Sequence, residues 1–302
     1  MDVAASTTTN SNKLIEKVLA WIYNRMIVDM TEVWYRAVLE RQKPGSTILD
    51  VGVGTAGALL RCQDIILSKK LHIIGIDYNP FYITAAHQSI QEAGPTLAKY
   101  VQVHHCDLYN RTQLDALLLD AVGDDDDDVV TTVYFSGSFS LLPNPSEALK
   151  IAASILMVGV GKVEEEKQSI DGITDEGGDG DDDDDGQNDA AKNETDDKRG
   201  SGDGRDGDRD GDGTDAKIYI TQTYQRHSPP FLSIIKPLIK YVTTVDFGQL
   251  VREEDVLDIL KQDGVADVLE VAEHGVLDGS VDNYWQAAYL SVLNVKRQKE
   301  ND

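Results

Sequence analysis

The sequence predicts an α/β fold: a mainly parallel sheet of seven strands with helices on both faces, closed by an antiparallel pair of strands. Three observations predict it. From Thr47 onward, short β-branched runs alternate with helical segments, the pattern of strand-helix-strand units that cover both faces of a parallel sheet. The first run, Thr47-Ile-Leu-Asp-Val-Gly-Val-Gly-Thr-Ala-Gly57, leads straight into a glycine loop and then a helix. The last two runs are joined by Glu273 to Asn283, too short for a helical crossover of about a dozen residues, so they must pair antiparallel.

Taken in order, residues 1–12 are polar and rich in Thr, Ser and Asn, and are expected to be disordered. Residues 13–45 form an expected helical cap. Leu14, Ile15, Val18, Leu19, Ile22, Met26 and Ile27 recur at helical spacing, and Val33, Trp34, Ala37 and Val38 begin a second stripe after Asp29 and Thr31. Two helices ending at Pro44-Gly45 are predicted, with Tyr23, Met30, Trp34 and Tyr35 either packing in the core or capping a ligand site. Strands are predicted at Ile48–Val51, His72–Asp77, Val101–Cys106, Val129–Ser136, Lys217–Tyr224, Val268–Glu273 and Tyr284–Val295. Helices are predicted near Ala58–Ser68, Phe81–Ala93, Gln113–Leu119, Pro145–Leu156 and Arg252–Gln262. Residues 46–161 and 216–296 then make one domain, interrupted by 162–215.

That interruption dominates the charge. Residues 162–215 carry 22 Asp or Glu against 7 Lys or Arg, a net −15 of the chain's −25. So few apolar residues cannot offset the entropy of ordering, which predicts a disordered acidic insertion. Asp206 to Gly211 resembles half of a calcium loop, but its twelfth position is Lys217 in place of the bidentate Glu. No basic patch balances the charge, which argues against a nucleic-acid backbone as partner. Two cysteines, no apolar signal-like core and no membrane-length apolar run lead to an expectation of a soluble, cytoplasmic protein. The acidic tract carries no motif that names a protein partner.

Ligands of open parallel sheets bind outside the carboxyl ends of the strands, so the loops there hold the candidate site. Gly52 and Gly54 let a ligand approach bare backbone at a helix N-terminus. Asp77 ends the second strand, where a carboxylate can accept from both ribose hydroxyls. Asp107 ends the third strand, placed to accept from an exocyclic amine, with Leu108 beside it. Ser136, Ser138, Tyr224 and Arg226 face the same region, and His227 is a candidate general base.

These residues resemble the class I S-adenosylmethionine-dependent methyltransferases, a Rossmann-like family. Asp50-Val-Gly52-Val-Gly54-Thr matches their first motif, Ile74-Gly-Ile-Asp77-Tyr78 the acidic second strand, and Cys106-Asp107-Leu108 the adenine-contacting turn. Ser136-Gly-Ser-Phe-Ser-Leu-Leu-Pro-Asn-Pro145 looks like the loop after their fourth strand. The resemblance implies S-adenosyl-L-methionine as cofactor. Asp50 would orient its methionine end, Gly52 and Gly54 admit it, Asp77 hold the ribose, Tyr78 flank the adenine, and Asp107 take the adenine amine. By their place in the chain rather than by the resemblance, Ser136 is a candidate to line the cofactor, and Tyr35, Ser138, Tyr224 and Arg226 are candidates for substrate contact. One departure stands out: the usual third glycine is Ala56, which predicts a slightly shifted loop.

Ala56 also makes Gly52-Val-Gly54-Thr-Ala-Gly57 fit the dinucleotide fingerprint, so an NAD(P)-dependent oxidoreductase is the alternative. A cofactor-fold scaffold recruiting a basic partner through the acidic insertion is another. Within the methyltransferase reading, the loop after strand four lacks the motif of amino-directed nucleic-acid enzymes, and the loops lack magnesium-binding carboxylates. A metal-independent reaction on a small molecule is therefore expected. Phe231, Leu232, Ile234, Ile235, Leu238, Ile239 and Val242 form either a helical cover, a substrate lid or a transient membrane contact. With the aromatic N-terminal helices, they point to an apolar acceptor of quinone- or lipid-like character.

Overall fold

The computed structural model describes residues 27–122, 129–157, 216–227 and 252–296. Helix α1, residues 27–39, precedes β1 (Thr47–Val51), α2 (Gly57–Leu60), α3 (Gln63–Lys69), β2 (His72–Asp77) and α4 (Pro80–Ala93). There follow β3 (Val101–His105), α5 (Arg111–Val122), β4 (Val130–Ser136), α6 (145–157), β5 (Lys217–Gln225), α7 (Glu253–Leu260), β6 (Leu269–Val276) and β7 (Gln286–Val295). The seven strands form one sheet in the order β3-β2-β1-β4-β5-β7-β6. The first five run parallel, while β7 lies antiparallel between β5 and β6. The predicted α/β class and the antiparallel closure are both present.

Alternation along β1 divides the core. Leu49 and Val51 face a layer with Leu149, Ala152, Leu156, Val256 and Leu260 of α6 and α7. Ile48 faces the opposite layer, which Trp34, Tyr35, Val38 and Leu39 of α1 share with Leu59, Ile66 and Ile83. Asp50 has the parity of Ile48, so a fully buried carboxylate sits among α1 side chains.

Several boundaries differ from the sequence expectation. The predicted helix break at Asp29 and Thr31 is absent, because Thr31 turns its hydroxyl back to the Ile27 carbonyl at 2.7 Å and Asp29 pairs with Arg61. Both residue types favour caps, but each finds a partner here that leaves the helical backbone intact. The part of the N-terminal cap before residue 27 lies outside the described residues, as do 162–215 and 228–251. The single helix expected over Ala58–Ser68 is two, divided where Arg61 and Cys62 donate to carbonyls three residues back. The break buries Cys62 while Arg61 reaches Asp29 and Glu32. Finally, β6 runs on to Val276 and β7 starts at Gln286, since the Asn283 side chain accepts from the Trp285 and Gln286 amides and closes a turn there.

Helix α1 is pinned to α3 and to the break before it by ion pairs: Arg36 to Asp64 at 3.0 Å, and Arg61 to Glu32 at 3.2 Å. At its end the Lys69 ammonium donates to the carbonyls of Leu39, Glu40 and Gln42, satisfying groups that a helix C-terminus leaves open. No helix among the described residues is long and apolar enough to cross a membrane.

Candidate functional site

The loops at the carboxyl edge are built around the glycine turn after β1. Gly52, Gly54 and Ala56 all take left-handed φ, at 79°, 60° and 58°. At Gly52 an added Cβ would lie 2.5 Å from Ser138 Cβ, whereas at Gly54 it would meet none of the described residues within 4 Å. Gly52 is thus needed for packing inside the protein, and Gly54 presents bare backbone outward. The expected shift at Ala56 takes a specific form: a non-glycine residue in the left-handed region immediately before α2.

Asp77 ties this loop to the next strand. One carboxylate oxygen accepts from Gly54 N at 3.0 Å and the other from Asn79 N at 2.8 Å. Burial raises its pKa, and the Asn79 and Gly54 bonds act in the opposite sense. Beyond it Tyr78 is 76% exposed and Phe81 82% exposed, so two aromatic faces are open beside the loop. Asp107 is exposed, with one carboxylate oxygen accepting from Tyr109 N, while Leu108 beside it is buried.

Asp50 is fully buried. Its Oδ2 accepts from the Tyr35 hydroxyl at 2.7 Å, and its Oδ1 has no hydrogen-bond partner among the described residues. Burial pushes its carboxyl up to about 7, a shift that the Tyr35 bond opposes and the charge of Asp77 reinforces. The Ser136 hydroxyl is also buried and has no hydrogen-bond partner of proper geometry among the described residues. Tyr35 meets Tyr134 edge-on, ring centres 5.2 Å apart, and Tyr134 in turn bonds Thr221.

The remaining predicted residues are placed differently. Ser138 donates to the Val51 carbonyl, clasping the loop after β4 to the end of β1 in place of facing outward. Tyr224 is 1% exposed and packs on Tyr289, inside the layer that holds Ile218 and Ile220. The structure does not bring it to the site. Arg226 pairs with Asp282 at 2.6 Å, which occupies its charge. His227 stacks on Tyr284 at 4.0 Å, and its Nδ1 lies 2.7 Å from the Tyr284 carbonyl. A carbonyl can only accept, so Nδ1 is the donating nitrogen and Nε2 is the one left for another partner.

One contributor escaped the sequence reading. The loop from Leu277 to Trp285, between β6 and β7, opens on the same carboxyl edge because β6 runs in the direction of β5. Its Ser280 accepts from the Trp34 indole at 2.8 Å, and its Tyr284 and Trp285 are 64% and 38% exposed. Tyr109 likewise bridges two loops, donating to the Asn144 carbonyl at 2.9 Å.

No family model and no curated protein sequence matches the chain. Among solved structures, the chain is similar to MccD protein, with 8% identity and a TM-score of 0.47 over 88% of this chain and 96% of that one. It is similar to a geranyl diphosphate methyltransferase solved with S-adenosylmethionine, at 9% identity and 0.47, over 87% and 84%. A SAM-dependent methyltransferase from Geobacter sulfurreducens in complex with S-adenosyl-L-homocysteine follows, at 13% identity and 0.43, over 88% and 90%.

Proposed function

We propose that this chain is a metal-independent S-adenosylmethionine-dependent methyltransferase acting on a small, apolar, quinone- or lipid-like acceptor. The observation that carries the reading is the relation of Asp77 to Gly54: a strand-end carboxylate fixed to the amide of an outward-facing glycine. Asp50 and Asp107 stand at the ends of the flanking strands, an ordered set of acids around one loop. The dinucleotide alternative is served by the all-parallel order 3-2-1-4-5-6. Here an antiparallel strand holds the sixth position, which counts against it.

The residues fit the cofactor. Gly54 offers open backbone, Tyr78 and Phe81 offer faces for an adenine, and the buried Asp50 would orient the loop that meets the methionine end. Asp77 would hold the ribose and Asp107 the adenine amine. When bound, the cofactor supplies a sulfonium methyl already activated toward a nucleophile. The chain's task is to position the acceptor, exclude water and remove a proton where the acceptor carries one. Met30, Tyr284 and Trp285 give the acceptor side an apolar rim, and Asp282 neutralises Arg226 there. His227, whose Nδ1 is held by the Tyr284 carbonyl and whose ring stacks on Tyr284, is the base assigned to that side through Nε2.

Calorimetry with S-adenosylhomocysteine and with NAD tests the reading. Micromolar binding of the first and none of the second is expected; micromolar binding of NAD alone overturns it. Incubating cell extract with methyl-labelled S-adenosylmethionine and the protein then identifies the acceptor.

A further inference from the structure

We infer that Tyr35 is a positioning residue for the cofactor: delivered by α1, its hydroxyl fixes the Asp50 carboxylate at the head of the glycine loop and ties cofactor affinity to the seating of that helix. The inference rests on the methyltransferase reading and extends it to a residue outside the sheet loops. A carboxylate with no exposed surface and one unpaired oxygen is costly to keep charged, since each lost hydration bond must be replaced. Among the described residues, the titratable groups facing Asp50 are Tyr35 on α1, Tyr134 on β4 and Asp77 on β2, and none of these is a cation. Of these, the Tyr35 hydroxyl alone donates to the carboxylate.

Tyr35 is itself held firmly. Its ring is buried edge-on against Tyr134. The neighbouring Trp34 is anchored to Ser280, and Arg36 to Asp64. The helix and the hydroxyl therefore move together. Asp50 stands two residues before Gly52, whose amide bonds the Ile76 carbonyl at 2.8 Å, so the carboxylate and the ligand-facing loop share one short stretch of backbone. Burial sets Asp50 to change charge near neutrality, and losing the Tyr35 bond moves that change to higher pH.

The test is the affinity of S-adenosylhomocysteine, measured by calorimetry on the full chain from about pH 6 to pH 9, for wild type, Tyr35→Phe and Asp50→Asn. Wild-type affinity should fall as pH drops through neutrality. Tyr35→Phe keeps the ring packing; it should bind about fivefold more weakly at pH 7 and about tenfold more weakly at the acid end, with its midpoint displaced upward by about one unit and convergence at alkaline pH. Asp50→Asn should have a flat profile in this range. A Tyr35→Phe profile identical to wild type, or weakened equally at every pH, overturns the inference. Should Tyr35→Phe fail to fold, an Asp50→Asn profile that still falls through neutrality does the same. If the wild type binds at no pH, the methyltransferase proposal itself falls; binding by the wild type with an unshifted Tyr35→Phe profile removes this inference alone.

Discussion

The Gly54 amide donates to the Asp77 carboxylate at 3.0 Å, so the acid that ends β2 also shapes the loop that follows β1. Both oxygens accept from backbone amides, and an Asn side chain would turn an NH2 toward one of them. Asp77→Asn should destabilise the protein by about 1–3 kcal/mol and weaken S-adenosylhomocysteine at least about tenfold. Thermal melts and calorimetry check the two parts separately.

Gly52→Ala combines a left-handed backbone with a Cβ only 2.5 Å from Ser138 Cβ. Relief requires parting the loop after β4 from β1 and breaking the Ser138 bond to Val51. A loss of about 2 kcal/mol or more is expected, together with cofactor binding. A melting temperature equal to wild type would show that the loops part freely.

Ala56→Gly acts in the opposite direction. Ala56 holds φ at 58°, a conformation that costs an L-residue about 1–2 kcal/mol and glycine little. The greater entropy of an unfolded glycine and the loss of a buried methyl take back part of this. A net gain of roughly 0.5 kcal/mol in denaturant titration is expected.

The Asp50 carboxyl is pushed from 3.8 to about 7 in the folded chain, chiefly by burial. The folded state therefore keeps a proton that the unfolded state releases, so stability falls as pH rises from about 4 to about 7 and is level beyond. Asp50→Asn should remove this slope, and at about pH 8 should be more stable than wild type by an amount on the order of a few kcal/mol. Denaturation midpoints across that range decide it.

His227→Gln should leave S-adenosylhomocysteine binding within about twofold while lowering turnover by about 100-fold on an acceptor that must lose a proton. Retained turnover would transfer the base role elsewhere.

Much of the fold was legible because burial enforces pattern. His72–Asp77 was placed to the residue, since a run buried on both faces ends where Asn79 caps a helix that starts on Pro80. Asp50, Gly52, Gly54, Asp77 and Asp107 do converge on one edge, since that follows from topology alone. What was hidden depended on contacts that no local pattern encodes. Ser138 reads as a substrate contact, but a hydroxyl in a turn serves equally to bind backbone. Tyr224 shares the parity of Ile218 and Ile220, which already marks it as a core residue. The partnership of Tyr35 with Asp50 joins a helix to a strand, and periodicity describes each element only by itself.

Trp34 and Trp285 give the protein a built-in optical readout. The first is buried beneath the Gly137 turn and anchored to the loop that carries the second, which stands half-open at the acceptor rim. In a Trp21→Phe background, which removes the third tryptophan, a ligand entering from the rim would quench or blue-shift Trp285 emission while leaving Trp34 as an internal reference. Acceptor candidates can thus be screened by intrinsic fluorescence, with no label attached to the chain.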